Sequence, residues 1–150
     1  MQYRILVPGI LVTGMAVGAL SQAAPEGWQV VSDVRKSCQI AVPAEWTVKL
    51  SSGFAPEKKA TATVHGMRAG QSWDEAKGML KQTMKPIKIV QDDAKRLWYT
   101  MDPGTVAGDG KSGWYVAINT TPVCTASFTF DPGSDEETLK QIAESLVVAK

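Results

Sequence analysis

Residues Val123 to Phe130, VCTASFTF, constrain the fold more than any other stretch of the chain. They alternate as a strand must, with Cys124, Ala126, Phe128 and Phe130 on one face and Val123, Thr125, Ser127 and Thr129 on the other. The first face is apolar enough to be buried, and Cys124 on it is one of only 2 cysteines in the sequence. This strand is therefore where a long-range covalent tie would anchor. A helix signal follows from Ser134 to Val147, with Ser134 and Glu137 reading as a capping box. Its apolar positions, Leu139, Ile142, Ala143 and Leu146, have the spacing of a helix packed on a sheet.

Where the chain goes is written at its start. Residues 1–23 read as a secretory signal: Arg4 precedes an apolar run from Ile5 to Leu20, and Ser21-Gln22-Ala23 supplies small residues for cleavage. A membrane anchor is the rival reading, but about 16 apolar residues fall short of the roughly 20 that a span needs. No cysteine stands at the expected cut after Ala23, which argues against a lipid anchor there. Of 16 Lys and Arg only Arg4 precedes the cut, and all 15 Asp and Glu follow it, so the mature chain is near neutral. It carries no basic tract. Electrostatics alone draw such a chain neither to nucleic acid nor to anionic membrane, so no nucleic-acid partner and no stable membrane insertion are expected. The expected location is periplasmic or secreted, with residues 24–150 as one soluble domain.

In an exported chain, two cysteines point to a single disulfide between Cys38 and Cys124. A redox-active pair is the alternative, but such pairs usually stand as Cys-x-x-Cys and these are far apart. Closing a loop of this length stabilises a fold by roughly 4 to 5 kcal/mol in the chain-entropy account.

Along the mature chain, Trp28, Val30 and Val31 mark a short leading strand, and Cys38 to Val42 alternates until Pro43, which cannot donate to a ladder. Trp46, Val48 and Leu50 alternate again. Residues 51–59, with Gly53 and Pro56, read as a loop, and Ala60 to His65 resumes strand spacing. Ser72 and Glu75 form a capping box that opens a helix with Trp73, Ala76, Leu80 and Met84 on one face, ended by Pro86. Ile87 to Val90 and Arg96 to Met101 are strands joined by a turn around Asp92 and Asp93. Residues 102–113, rich in glycine, form a loop before the strand Trp114 to Asn119. These pieces predict an antiparallel meander with helices, an α+β class.

Catalytic chemistry is thin. His65 is the only histidine, which removes most ordinary metal sites and serine–histidine arrangements, so no cofactor or metal is expected. Asp92 and Asp93 would point to opposite faces of an extended chain and make a poor catalytic pair. The loop GTVAGDGKS from Gly104 to Ser112 has the wrong spacing for a phosphate loop and precedes a strand rather than a helix. Asp102 and Asp109 are too sparse for a calcium cage.

Aromatic residues lean toward binding. Trp98-Tyr99 and Trp114-Tyr115 lie on strands that a hairpin brings side by side, each pair showing one ring to either face. One ring of each, with Gly108 and Gly110 in the adjoining loop, forms a candidate binding surface. The competing account buries all four rings beneath helices.

The order of elements resembles the PsbP-like superfamily, which includes the DcrB-like periplasmic proteins and a Ran-binding nuclear import factor. The residues carrying the resemblance are CQIAVPAEW at Cys38 to Trp46, with its Pro-x-x-Trp turn, and CTASFTFD followed by DEETLKQIAESL. The resemblance implies an α/β/α sandwich, an antiparallel sheet flanked by helices, in a non-enzymatic binding or assembly factor. No ligand site transfers with it. The expected function is thus a non-catalytic accessory domain for an envelope protein or small ligand. A small hydrolase using carboxylates is the alternative.

Overall fold

The computed structural model describes residues 24–84, 86–102 and 110–150. The expected signal at residues 1–23, and Gly108 with most of its loop, lie outside the described residues. In chain order the elements are β1 (Gln29–Ser32), β2 (Cys38–Val42), β3 (Thr47–Lys49), β4 (Ser52–Phe54), β5 (Ala60–Gly66) and α1 (Trp73–Met84). They continue with β6 (Lys88–Asp92), β7 (Arg96–Met101), β8 (Ser112–Ile118), β9 (Cys124–Phe130), α2 (Glu136–Glu144) and β10 (Val147–Val148). Among the described residues, no helix is long and apolar enough to cross a membrane.

Sequence alternation implied one sheet, and the structure has two. A 7-stranded antiparallel sheet runs in the order β3-β4-β5-β9-β8-β7-β6, and a 3-stranded sheet runs β1-β2-β10. Within the large sheet, β9 is central, with Ala60↔Phe130 to Gly66↔Cys124 on its β5 side and Ser112↔Phe130 to Ile118↔Cys124 on its β8 side. The meander inferred from residues 87 to 130 is β6-β7-β8-β9. The split arises because β2 pairs with β1 and the chain end rather than with the meander. Strand periodicity reports which face is buried but not which neighbour the strand has.

The two faces of the large sheet hold different cores. On one face Ala126, Phe128 and Phe130 of β9 meet Val31, Ile40 and Val42 of the small sheet and Leu139, Ile142 and Leu146 from the α2 region. Burying a side chain such as Phe128, which has no exposed surface, contributes roughly 1.5 to 3 kcal/mol. On the other face Ala76 and Leu80 of α1 cover Leu97, Tyr99, Tyr115 and Ala117. Helices therefore lie on both sides, with the small sheet sharing one side with α2.

The Cys38–Cys124 disulfide joins β2 of the small sheet to β9 of the large one, so it fastens the two layers together. Both cysteines are fully buried. Next to it a Cβ built on Gly66 would stand 2.3 Å from Ser37 Oγ and 3.3 Å from Cys38 Sγ, so only glycine lets the layers approach this closely. Asp33 closes the same corner. Its carboxylate accepts from Ser37 N at 2.6 Å, Ser37 Oγ at 2.9 Å and Cys38 N at 2.9 Å. Burial pushes this carboxyl up, yet the hydrogen bonds outweigh it and hold the group below its ordinary value.

The two helices start differently. At α1 the capping box forms as expected, Glu75 N donating to Ser72 Oγ at 3.2 Å and Ser72 N to Glu75 Oε2 at 3.1 Å. At α2 the cap is Asp135 rather than Ser134, accepting from Thr138 N at 3.2 Å. Ser134 Oγ instead donates to Lys59 O at 3.5 Å. The helix also ends at Glu144, and Val147–Val148 leaves it to pair with Gln39 and Cys38. Residues 51–59 are not all loop, since Ser52–Phe54 forms β4 and Pro56–Lys58 a 3₁₀ turn. Gly53 marks close approach there: a Cβ would meet Val42 Cγ1 at 3.0 Å.

Candidate functional site

Alternation along β7 and β8 sends the four singled-out rings to opposite faces, as the sequence requires, and both faces are covered. Tyr99 pairs with Tyr115 across the strands, and their rings stack 5.4 Å apart at 12° beneath α1. Trp98 and Trp114 face the other way, 5.4 Å apart at 64°, and Trp114 meets Phe130 edge-on at 4.9 Å. All four are buried, from 0% exposed at Tyr99 to 9% at Tyr115, and Trp114 presents its remaining surface to a cleft. Gly110 is exposed in a positive-φ turn beside β8, and Gly108 lies outside the described residues.

Tyr99 carries the one buried polar side-chain atom among the described residues without a hydrogen-bond partner, its hydroxyl. Burial, with Tyr115 close by, pushes that hydroxyl well above the usual tyrosine range. Tyr115 is also held above its ordinary value by burial, against a hydrogen bond with Thr125. Both phenols stay protonated near neutral pH.

What remains open lies at the Phe130 end of the sheet, where β9 turns through Asp131–Gly133 into α2. On one side of that turn a cleft of about 330 Å³ is lined by Ile87, Met101, Lys111, Trp114 and Phe130, among others. Lys111 Nζ contacts Asp131 Oδ1 at 2.5 Å along its rim. On the other side a cleft of about 440 Å³ is lined by Glu45, Trp46, Pro56, Lys59, Asp135 and Thr138, among others. The Pro43–Trp46 turn that shapes it is pinned by Gln29, whose Nε2 donates to Pro43 O at 3.2 Å and to Trp46 O at 2.5 Å. Sequence reasoning missed this second cleft because it treated Pro-x-x-Trp as a fold marker and residues 51–59 as plain loop.

β6, the edge strand beside the first cleft, is exposed except at half-buried Gln91, as is Ile87 just before it. Ile87 is 70% exposed, Ile89 43% and Val90 55%, the last within a break in register between Ile89 and Gln91. A register shift at an edge weakens pairing with another sheet, so these side chains, more than the backbone, are what the edge offers.

The carboxylates singled out in the sequence have structural work. Asp92 lies in β6 and binds Lys77 Nζ at 2.8 Å and also Lys81, tying α1 to the sheet edge. Those two lysines lower its carboxyl below the ordinary value. Asp93 accepts from Gln91 Nε2 and from the amides of Lys95 and Arg96, which together hold it down at about 2. His65 is exposed on β5. Among the described residues no three His, Cys, Asp or Glu side chains are grouped to hold a metal ion.

No family model matches the chain, and no curated protein matches it in sequence. The solution structure of cyanobacterial PsbP (CyanoP) from Synechocystis sp. PCC 6803 matches it with a TM-score of 0.51 at 14% identity. That match covers 93% of this chain and 99% of the other. A crystal structure from Bacteroides thetaiotaomicron VPI-5482 matches with a TM-score of 0.47 at 14% identity, over 75% of this chain and 45% of that one. The fold is PsbP-like, as the resemblance at CQIAVPAEW and CTASFTFD implied.

Proposed function

We propose that this PsbP-like fold serves as an exported, non-catalytic accessory domain that binds an envelope protein. The partner engages the β6 edge and the adjoining cleft at the Phe130 end. The observation carrying this reading is the exposed row Ile87, Ile89 and Val90 beside a cleft floored by Trp114 and Phe130. Apolar side chains held in water beside a concave, partly aromatic surface are what protein interfaces use. Export is supported by the apolar run at Ile5 to Leu20 and by a buried disulfide, a bond characteristic of oxidising compartments. A PsbP-like fold in the neighbour from Synechocystis supports an accessory rather than catalytic role, since that resemblance brings no reactive constellation with it.

A small ligand is the second reading, favoured by the cleft of about 440 Å³ around Trp46, which falls within the size of small-molecule sites. The two are separated by affinity capture from envelope extract with residues 24–150 as bait. An Ile87→Asp, Ile89→Asp variant is expected to lose its partner by at least about tenfold, because each buried aliphatic contributes roughly 1.5 kcal/mol or more. Glu45→Ala, at an exposed residue lining the cleft around Trp46, should leave recovery unchanged. Equal recovery by the double variant contradicts the reading.

A further inference from the structure

Net neutrality hides a separation of charge along the strands. At the Gly66 end of β5, opposite the clefts, two hairpins turn side by side. The β1–β2 hairpin turns through Asp33 to Ser37, fixed by the contact of Asp33 and Ser37 with Gly66. The β3–β4 hairpin turns through Leu50 and Ser51, fixed by Val64 N donating to Ser51 O at 2.9 Å. Each tip holds one aliphatic side chain out in water: Val34 is 80% exposed and Leu50 81%. Around them stand Arg35, Lys36, Lys49 and Arg68, all exposed. None of these four forms a salt bridge with a described residue. The one acid in the tips, Asp33, is 3% exposed and spends its carboxylate on the turn itself. At the far corner of the same end, Lys77 and Lys81 already match Asp92, and Lys95 and Arg96 flank Asp93. The opposite end carries Glu45, Glu57, Asp131, Asp135 and Glu136 interspersed with Lys58, Lys59 and Lys111, and Lys59 and Lys111 pair with Glu57 and Asp131, so its charge is mixed where that of the tips is basic.

We propose that these two hairpin tips dock the domain reversibly on the surface of a bilayer containing anionic lipid. Arg35, Lys36, Lys49 and Arg68 meet the headgroups, and Val34 and Leu50 enter the interface between them. Cations alone would suit any polyanion; single aliphatics protruding from hairpin tips among those cations favour a bilayer, whose interface gives them somewhere dry to go. Leu50 sharpens the point. Its φ of +54° is a backbone region that asparagine and glycine occupy more readily, yet the position holds a large apolar residue facing water. The surface is separate from the clefts, so a domain lying on lipid through its tips keeps the Ile87 end of β6 and the clefts turned away from the membrane.

Vesicle co-sedimentation of residues 24–150, which contain every described element and exclude the apolar run at Ile5 to Leu20, tests this. The domain is expected to sediment with vesicles of phosphatidylglycerol and phosphatidylcholine at about 50 mM salt, to be released at about 500 mM, and to ignore pure phosphatidylcholine. Arg35→Gln and Lys36→Asn are each expected to weaken binding about fivefold. Leu50→Asn is expected to weaken it roughly tenfold while leaving the melting temperature unchanged or higher, since asparagine fits the turn. Failure to sediment at low salt overturns the proposal. So does a charge-dependent interaction indifferent to Leu50→Asn, which would mark a soluble polyanion as the ligand.

Discussion

The two faces of the large sheet are closed by different means. One is roofed by the small sheet and α2, whose Leu139, Ile142 and Leu146 are all buried, and a disulfide runs from roof to floor at Cys38–Cys124. The other is roofed by α1 alone, which contributes Ala76 and Leu80 with Trp73 at its margin. Its further ties are ionic or at the surface: Lys77 and Lys81 to Asp92, and Trp73 Nε1 donating to Asp93 O at 3.1 Å. Exposed ion pairs contribute little, typically under about 1 kcal/mol. The same sheet thus has one face that cannot open without unfolding the domain and one whose cover can lift by itself.

Removing the staple is the largest perturbation. Replacing both cysteines by alanine should lower stability by roughly 4 to 5 kcal/mol, seen as a shift in the urea midpoint, if an 86-residue separation acts as the chain-entropy account says. Truncating one leucine beneath each roof measures the asymmetry directly. Leu139→Ala should cost about 4 kcal/mol and Leu80→Ala about 2, because the thinner layer relaxes around the loss. Gly66→Ala forces a Cβ to 2.3 Å from Ser37 Oγ on the stapled side and should cost about 1 to 3 kcal/mol. On the α1 side the smallest change runs the other way. Tyr99→Phe removes an unpartnered buried hydroxyl and should stabilise by about 1 kcal/mol in the same urea titration.

Acid acts on both sides of the sheet. Asp33 beside the staple and Asp93 beyond the α1 edge both titrate below the ordinary 3.8, Asp93 at about 2. A lowered folded pKa contributes stability that is present above the unfolded value and lost as pH falls through the folded one. Stability should therefore decline as pH drops below about 4 toward about 2, and Asp33→Asn should flatten part of that decline.

Much of this arrangement was legible beforehand, and the failures share a cause. Alternation at Cys38, Ala60 and Cys124 marked the strands, and the Ser72–Glu75 pair marked the start of α1, because each depends on neighbours a few residues away. The division into two sheets was not legible, since the pairing of β10 with β2 joins residues more than a hundred positions apart. Gly53 looked like a loop residue because sequence cannot show that Val42 passes 3.0 Å from where its side chain would be. The aromatic pairs were assigned to the correct faces of the strands, but whether a face is open depends on what lies above it. The cleft around Trp46 and the charged tips escaped for the same reason: each is assembled from turns distant in the chain.

Native-state hydrogen exchange, followed amide by amide with the disulfide intact, tests the asymmetry most directly. The account predicts that amides of α1 exchange through an opening well below the global unfolding free energy, while those of β2 and β9 exchange only with global unfolding. If α1 amides are protected as strongly as those of β9, the two roofs are equally secure and the account is contradicted.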